Sequence, residues 1–223
     1  MERHISLNEI SDGKLYGLND MVRAGCNGCK GCSACCRGMG NTIILDPYDI
    51  SLLTNHLNTT FEMLMADRIE LNVVDGFALP NLKMTGDEEA CTFLSNEGRC
   101  EIHPFRPGFC RLFPLGRYYE QDNFHYILQV HECHYPTKTK VKVRNWLDIP
   151  NIKEYEAYVL DWHFFLKDLQ AVMKKNQDHT VLKQLNLYVL KLFYMKPYEK
   201  AADFYPQFYE RLGQARDIIA SLM

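Results

Sequence analysis

The sequence has no apolar run approaching the roughly 20 residues needed to cross a bilayer, because its hydrophobic stretches are short and interrupted by charge. No membrane span is expected. It has no surplus of positive charge either: 25 Lys and Arg against 28 Asp and Glu give a formal net charge of −3, which offers phosphate backbones no general attraction. Nucleic acid is accordingly not an expected partner. The one basic run, Lys138, Lys140, Lys142 and Arg144, alternates with Thr and Val at period two, as in a strand with one solvated face. The stretch MERHISLNEISDGKL lacks the basic start and apolar middle of a secretory signal, so a cytoplasmic location is expected. No internal repeat, low-complexity segment or glycine-rich nucleotide loop following a strand is visible.

What the sequence does have is cysteine: Cys26, Cys29, Cys32, Cys35, Cys36, Cys91, Cys100, Cys110 and Cys133, the first five within eleven residues. Disulfides explain them poorly. A reducing compartment keeps thiols free, a bridge across two intervening residues restricts the unfolded chain little, and neighbours such as Cys35 and Cys36 pair only in a strained ring. Burial as small hydrophobes fails on spacing. Cys26, Cys29, Cys32 and Cys35 repeat every third residue in AGCNGCKGCSACCRGMG, whose Gly25, Gly28, Gly31, Gly38 and Gly40 allow tight turns and exposed amides. Such a loop has almost nothing apolar to pack, whereas it lets several sulfurs meet at one point with amides nearby. Metal ligation uses all of these features.

Three cysteines at two-residue spacing plus a distant fourth is how ferredoxin-type loops hold a four-iron cluster. Cys29, Cys32 and either Cys35 or Cys36 fit it, with the fourth ligand among Cys91, Cys100, Cys110 and Cys133. Structural zinc more often uses two separated knuckles, and Cys91, Cys100 and Cys110 are too openly spaced to form the second. An iron–sulfur cluster is therefore the expectation and zinc the alternative. Cys35 and Cys36, adjacent and oppositely directed if extended, are expected to serve different sites or shells.

Residues 90–114, ACTFLSNEGRCEIHPFRPGFCRLFP, complete a pattern that resembles the YkgJ-like cysteine-cluster family of zinc- or iron-chelating domains. The resemblance rests on Cys29, Cys32, Cys35 and Cys36 as CxxCxxCC, on Cys91 before Phe93 and Leu94, on Gly98-Arg99-Cys100, and on Arg106, Pro107, Cys110, Arg111, Phe113 and Pro114. It covers about residues 25–135. It implies a metal-binding function with Cys29, Cys32, Cys35, Cys36, Cys91, Cys100, Cys110 and Cys133 as the ligand pool. Larger proteins similar to this family include flagellin lysine N-methylases, which implies S-adenosylmethionine as a further cofactor. The chain departs from the family at His103, where Tyr is common, and at Cys26, which extends the run by one repeat. His103 is a candidate ligand or second-shell donor, and Cys26 is the expected non-ligand.

Read on their own residues, Pro104, Pro107 and Pro114 disfavour a continuous helix and suit a rigid loop presenting Cys110. Arg106 and Arg111 bracket that cysteine, where guanidinium groups lower a thiolate pKa, offset cluster charge or hold a carboxylate, with structural ion pairing as the other reading. His125, His131 and His134 flank Cys133, and regular alternation would put His125 and His131 on one strand face.

The expected fold class is α+β: a small, loop-rich cysteine-cluster domain of short strands and helices, then a C-terminal three-helix segment packed on it. The boundaries fall at residues 1–24, 25–140 and 141–223. Ile43–Leu45 reads as a short strand, Asp46 and Pro47 as a helix start, and Thr59 to Glu62 as a capping box. Strand-like runs occupy 73–84 and 117–131, the latter a hairpin turning at Gln121 to Asn123. Apolar stripes at helical spacing run through Ile152, Tyr155, Val159, Trp162, Leu166, Leu169 and Met173, through Leu182, Leu185, Val189 and Leu192 up to Pro197, and through Phe208, Leu212, Ala215, Ile219 and Leu222 after Pro206. The functions expected are redox or cluster-dependent enzymatic chemistry, a zinc-folded structural module, or a metal carrier or redox sensor. The partner would be an unidentified protein or small molecule.

Overall fold

A computed structural model describes residues 6–29, 32–176 and 178–221. Leu222 of the third stripe and Gly31 of the cysteine loop lie outside the described residues. In chain order the elements are α1 (Leu7–Ile10), β1 (Met21–Gly25), α2 (Pro47–Leu57), α3 (Phe61–Asp67), β2 (Ile69–Val74), β3 (Phe77–Leu82), β4 (Met84–Thr85), β5 (Ala90–Cys91) and α4 (Gly108–Leu112). They continue as β6 (Leu115–Tyr119), β7 (Phe124–Leu128), β8 (Thr139–Lys142), α5 (Val143–Leu147), α6 (Ile152–Lys175), α7 (His179–Leu190) and α8 (Phe204–Ser221). The strands pair into antiparallel ribbons, β1 with β8, β2 with β3, β4 with β5 and β6 with β7. The chain is α+β, as its sequence indicates, and ends in helices. No described helix is long and apolar enough to cross a membrane.

Two compact units interleave along the chain: Met1–Gly40 with Met84–Glu156, and Asn41–Lys83 with Ala157–Met223. Residues 41–83 thus belong with the C-terminal helices and not with the cysteine loop that precedes them.

The first unit is organised around Val22, Ala24, Leu112, Leu115, Tyr126, Val143 and Leu147, all buried. β1 supplies Val22 and Ala24 by alternation, so the core fixes the residue from which the cysteine loop departs. Leu112 fixes the end of the helix carrying Cys110. The basic run forms strand β8 only as far as Lys142; Val143 starts α5, which moves Arg144 onto a helix. The expected hairpin is β6–β7, with Tyr119 opposite Phe124 and the turn between them. Tyr16 adds a bridge to its edge, exchanging amide–carbonyl bonds of 2.8 and 2.9 Å with Tyr126.

In the second unit Asp46 caps α2: its carboxylate accepts from the Asp49 amide at 2.9 Å, and the Asp49 carboxylate accepts from the Asp46 amide at 3.1 Å. Pro47, lacking an amide, takes the first helical position. Ile43 to Leu45 makes a single bridge to β3, through bonds between Leu45 N and Pro80 O (2.8 Å) and between Leu82 N and Ile43 O (3.0 Å). Thr60, and not Thr59, caps α3, accepting from the Met63 amide at 3.3 Å; Glu62 then sits one place too early to close a box. The strand-like run at 73–84 takes in the end of β2, the turn and all of β3, a hairpin whose first arm starts earlier, at Ile69. Asp75 and Gly76 form its turn with φ of 52° and 93°, the left-handed pair that two-residue hairpin loops prefer.

The three stripes are α6, α7 and α8. α7 widens into a π-helical turn over Lys191–Met195 before Pro197. α8 begins at Phe204, two residues ahead of Pro206, where a proline in the first turn forfeits no intrahelical bond. Their shared core is aromatic. The Phe208 ring lies 4.6 Å from Tyr158, 5.8 Å from Phe193 and 6.1 Å from Trp162, centroid to centroid, with Phe208 fully buried. Truncating it leaves a cavity walled by rings that cannot close in. Phe208→Ala is expected to lower unfolding stability by about 3–5 kcal/mol, read as a shift of the urea midpoint.

Candidate metal centre

The site starts where β1 ends. At Gly25 the backbone of β8 comes so close that a Cβ would stand 3.1 Å from the Thr139 carbonyl oxygen and closer still to its hydroxyl, so a side chain there would crowd the ribbon at the edge of the loop. Asn27, Gly28 and Cys29 then take φ of 53°, 62° and 57°, three left-handed residues in succession. That curl returns the Cys29 amide to the Cys26 carbonyl at 3.1 Å and brings the Cys26 and Cys29 Sγ atoms to 3.4 Å. Cys32 donates its amide to the Cys29 carbonyl at 3.1 Å, and Ala34–Cys36 forms one 3-10 turn.

The distal segment is tied to this loop by four links. Arg37 bridges Ala90 and pairs with Glu88, while the Gly38 amide donates to the Glu89 carbonyl at 3.0 Å. This places β5, with the buried Cys91, alongside the exit of the loop. Arg99 reaches back to donate to the Cys29 carbonyl at 3.2 Å, from a turn closed by the Leu94–Cys100 bridge. The prolines do break the backbone here, but into a 3-10 turn (His103–Phe105) and the short helix α4. Cys110 therefore stands on a helical turn and not in a loop.

Electrostatics shows which thiols share a neighbourhood. Burial and the Cys26 thiol push Cys29 up to about 12. The Cys36 thiol donates to Cys35 and holds it down at about 7, while Cys36 itself is driven far upward by that bond, by burial, and by Cys100 and Cys110. Burial also raises Cys100, with Cys35 adding to it and the Arg106 guanidinium opposing it. Arg106 acts in the same sense on Cys29 and Cys35. Cys26, Cys29, Cys35, Cys36, Cys100 and Cys110 thus form one interacting group beside one guanidinium, although more than sixty residues separate the two segments.

Among the described residues no three Cys, His, Asp or Glu side chains stand at the spacing of a formed ion site. The thiols are gathered without being closed on a point. As a donor set they fit zinc and iron alike, since both take thiolate and both gain from a nearby cation that offsets the charge. The residues placed to hold such a group are Cys29, Cys35, Cys36, Cys100 and Cys110, with Cys32 in the same loop and Cys91 on the adjoining strand.

Other predicted residues sit elsewhere or act differently. Cys133 lies beyond the β6–β7 hairpin, half-buried in the segment leading to β8. His125 is on β7, 3.7 Å from Glu120, but the strand ends at Leu128, so His131 falls in an exposed turn and the expected shared face is not formed. His103 pairs with Arg106, whose Nη1 is 3.1 Å from both ring nitrogens and donates to the His103 carbonyl at 3.0 Å. Burial first, then Arg106, Arg99 and Arg111, lowers the imidazole pKa and favours its neutral form. Arg111 is buried, donating to the carbonyls of Arg106 (3.1 Å), Asp148 (3.0 Å) and Pro104. It staples the distal segment to the end of α5. The sequence singled out Arg99 only as a member of the Gly98-Arg99-Cys100 element and gave it no role.

Arg111→Met leaves three carbonyls without their charged donor, so a stability loss of roughly 3 kcal/mol is expected, measured by urea denaturation. In the reduced, metal-free chain, alkylation of Cys35 should follow its thiolate with a midpoint at about 7. Cys36→Ala removes the donor that favours the charged sulfur, so that midpoint should move upward when alkylation rate is followed against pH by mass spectrometry.

A family model described as "CxxCxxCC: Putative zinc- or iron-chelating domain" matches residues 28–135, which include the loop thiols from Cys29 onward and every distal cysteine. Neither a curated protein nor a solved structure matches the chain. The matched hallmark and the gathered thiols agree: over residues 28–135 the chain is similar to the CxxCxxCC family of zinc- or iron-chelating domains.

Proposed function

We propose that the chain holds an iron–sulfur cluster, of the four-iron type, for redox or cluster-dependent chemistry. Cys29, Cys32 and either Cys35 or Cys36 are its loop ligands, and Cys100 or Cys110 is its distal one. The observation that carries this reading is the meeting of Cys35 and Cys36 with Cys100 and Cys110 in one electrostatic group. That supplies the three-plus-one donor pattern the spacing calls for. When bound, such a cluster supplies an electron-transfer centre or a Lewis-acidic iron.

The chain's own residues have definable parts in this. Arg106 offsets thiolate charge at Cys29, Cys35 and Cys100. Arg99 fixes the backbone of the loop through the Cys29 carbonyl. Arg111, spent on backbone carbonyls, holds Cys110 in place and has little left for a ligand. The methylase variant gains no support from the fold: the ribbons are antiparallel, and the sequence offers no glycine-rich nucleotide loop after a strand.

Anaerobic purification followed by iron, zinc and acid-labile sulfide analysis tests the proposal. Iron and sulfide in equal amount, with visible absorption bleached by dithionite, are expected. Cys100→Ser or Cys110→Ser should cost most of the bound iron, whereas Cys133→Ser should keep it. Zinc without sulfide would replace the cluster by a zinc-folded module.

A further inference from the structure

Cys26 is the one thiol of the loop that the family match leaves out, since the match begins at residue 28. It is also the most completely buried of the nine cysteines, at 3% exposure. Its Sγ nevertheless lies 3.4 Å from that of Cys29, which is only half-buried. A spare hydrophobic cysteine packed for its own sake would point into the core of β1. This one is turned toward a sulfur by a curl of three left-handed residues, locked by the Cys29 amide on the Cys26 carbonyl.

We infer that Cys26 and Cys29 are a site of reversible oxidative modification, a dithiol that closes to a disulfide and withdraws Cys29 from metal binding. The sulfurs need to approach by about 1.4 Å to reach the ~2.05 Å of a bond, which rotation of the two side chains supplies. Because two residues separate the pair, the ring adds little to fold stability, and closing or opening it leaves the unit folded.

The oxidant is a peroxide. A bound cation would hold Cys29 as a thiolate, which burial and Cys26 disfavour in the metal-free chain; that sulfur attacks one peroxide oxygen, the O–O bond breaks, and Cys29 becomes a sulfenic acid as hydroxide leaves and takes up the thiol's proton to become water. The Cys26 sulfur then attacks the Cys29 sulfur, the S–O bond breaks, and a second water leaves. Two thiols lose two protons and two electrons; hydrogen peroxide takes both and becomes two waters. A dithiol reductant reverses the result by thiol–disulfide exchange.

The metal-release half of this inference rests on the reading of Cys29 as a ligand; the pairing itself does not. The test treats the full chain, metal-loaded and anaerobically prepared, with hydrogen peroxide. Bridged peptides are mapped by mass spectrometry, while released metal is followed with a chromogenic chelator. The expected result is a Cys26–Cys29 bridge, metal release in step with it, and recovery of both thiols by dithiothreitol. Cys26→Ser is expected to hold metal at rest as the parent chain does. Its peroxide-driven metal loss should no longer be reversed by dithiothreitol and added metal, because Cys29 then oxidises beyond the sulfenic stage. Bridging of Cys29 to a different cysteine, metal loss while Cys26 stays reduced, or loss of metal from Cys26→Ser before any oxidant would each overturn the inference. A chain that carries no metal would defeat the earlier proposal alone, since peptide mapping of that chain still decides whether Cys26 and Cys29 pair.

Discussion

Sulfurs drawn together partly out of water face two penalties at once: burial disfavours each thiolate, and every thiolate disfavours the next. The raised Cys29, Cys36 and Cys100 show both effects. Cys35 escapes them because Cys36 keeps a proton to share with it, helped by a backbone hydrogen bond and then by Arg106. A cation bound among the thiols would remove the penalty for all of them together, which is why such a cluster makes physical sense as a metal centre and little sense as a set of idle thiols. The rest of the first unit is arranged to hold these groups in reach of one another.

That holding is done largely by arginines bonded to backbone. Arg111 spans the carbonyls of Pro104, Arg106 and Asp148, and Arg99 joins the distal turn to the Cys29 carbonyl. The second unit, whose sequence contains no cysteine, uses the same device. Arg211, buried, donates to the carbonyls of Leu192 (3.0 Å), Lys196 and Pro197 (both 2.7 Å), with its guanidinium 3.7 Å from the Tyr198 ring centroid. In both places the chain stops being regular, at prolines or at a π-helical turn, and leaves several carbonyls unpaired. A planar cation with five donors satisfies them together, which a lysine cannot do.

The sequence was most legible where one local rule decides. Asp46 and Pro47 start α2 because a side-chain acceptor and a missing amide suit the first turn of any helix, whatever lies around it. The C-terminal stripes became helices because a 3.6-residue period has one way to bury its apolar side. It was less legible where two local rules compete. Thr59 and Thr60 are equally good caps, and the strand pattern of β2 was hidden because Leu71 and Val73 face solvent while Ile69 does not. The alternation of TKTKVKVR and the spacing of His125 from His131 were both cut short, by α5 and by the end of β7. Periodicity does not announce where it stops.

The sequence by itself determined the chemistry: thiols at two-residue spacing in a glycine-laced loop, with too little apolar content to be core and too short a reach to be stabilising disulfides, belong to a metal site. Only the tertiary structure decided which thiols meet and what surrounds them. The approach of Cys100 and Cys110 to the loop is a long-range contact, fixed by the Arg37–Ala90 bridge, the Arg99 bond and the burial of Leu112 and Ala24 in one core. The same holds for Arg111, whose neighbours in sequence suggest a ligand site and whose neighbours in space are carbonyls, and for Cys26, whose partner is set by three successive φ angles. Spacing along a chain fixes what side chains can reach; the backbone path between them fixes what they touch.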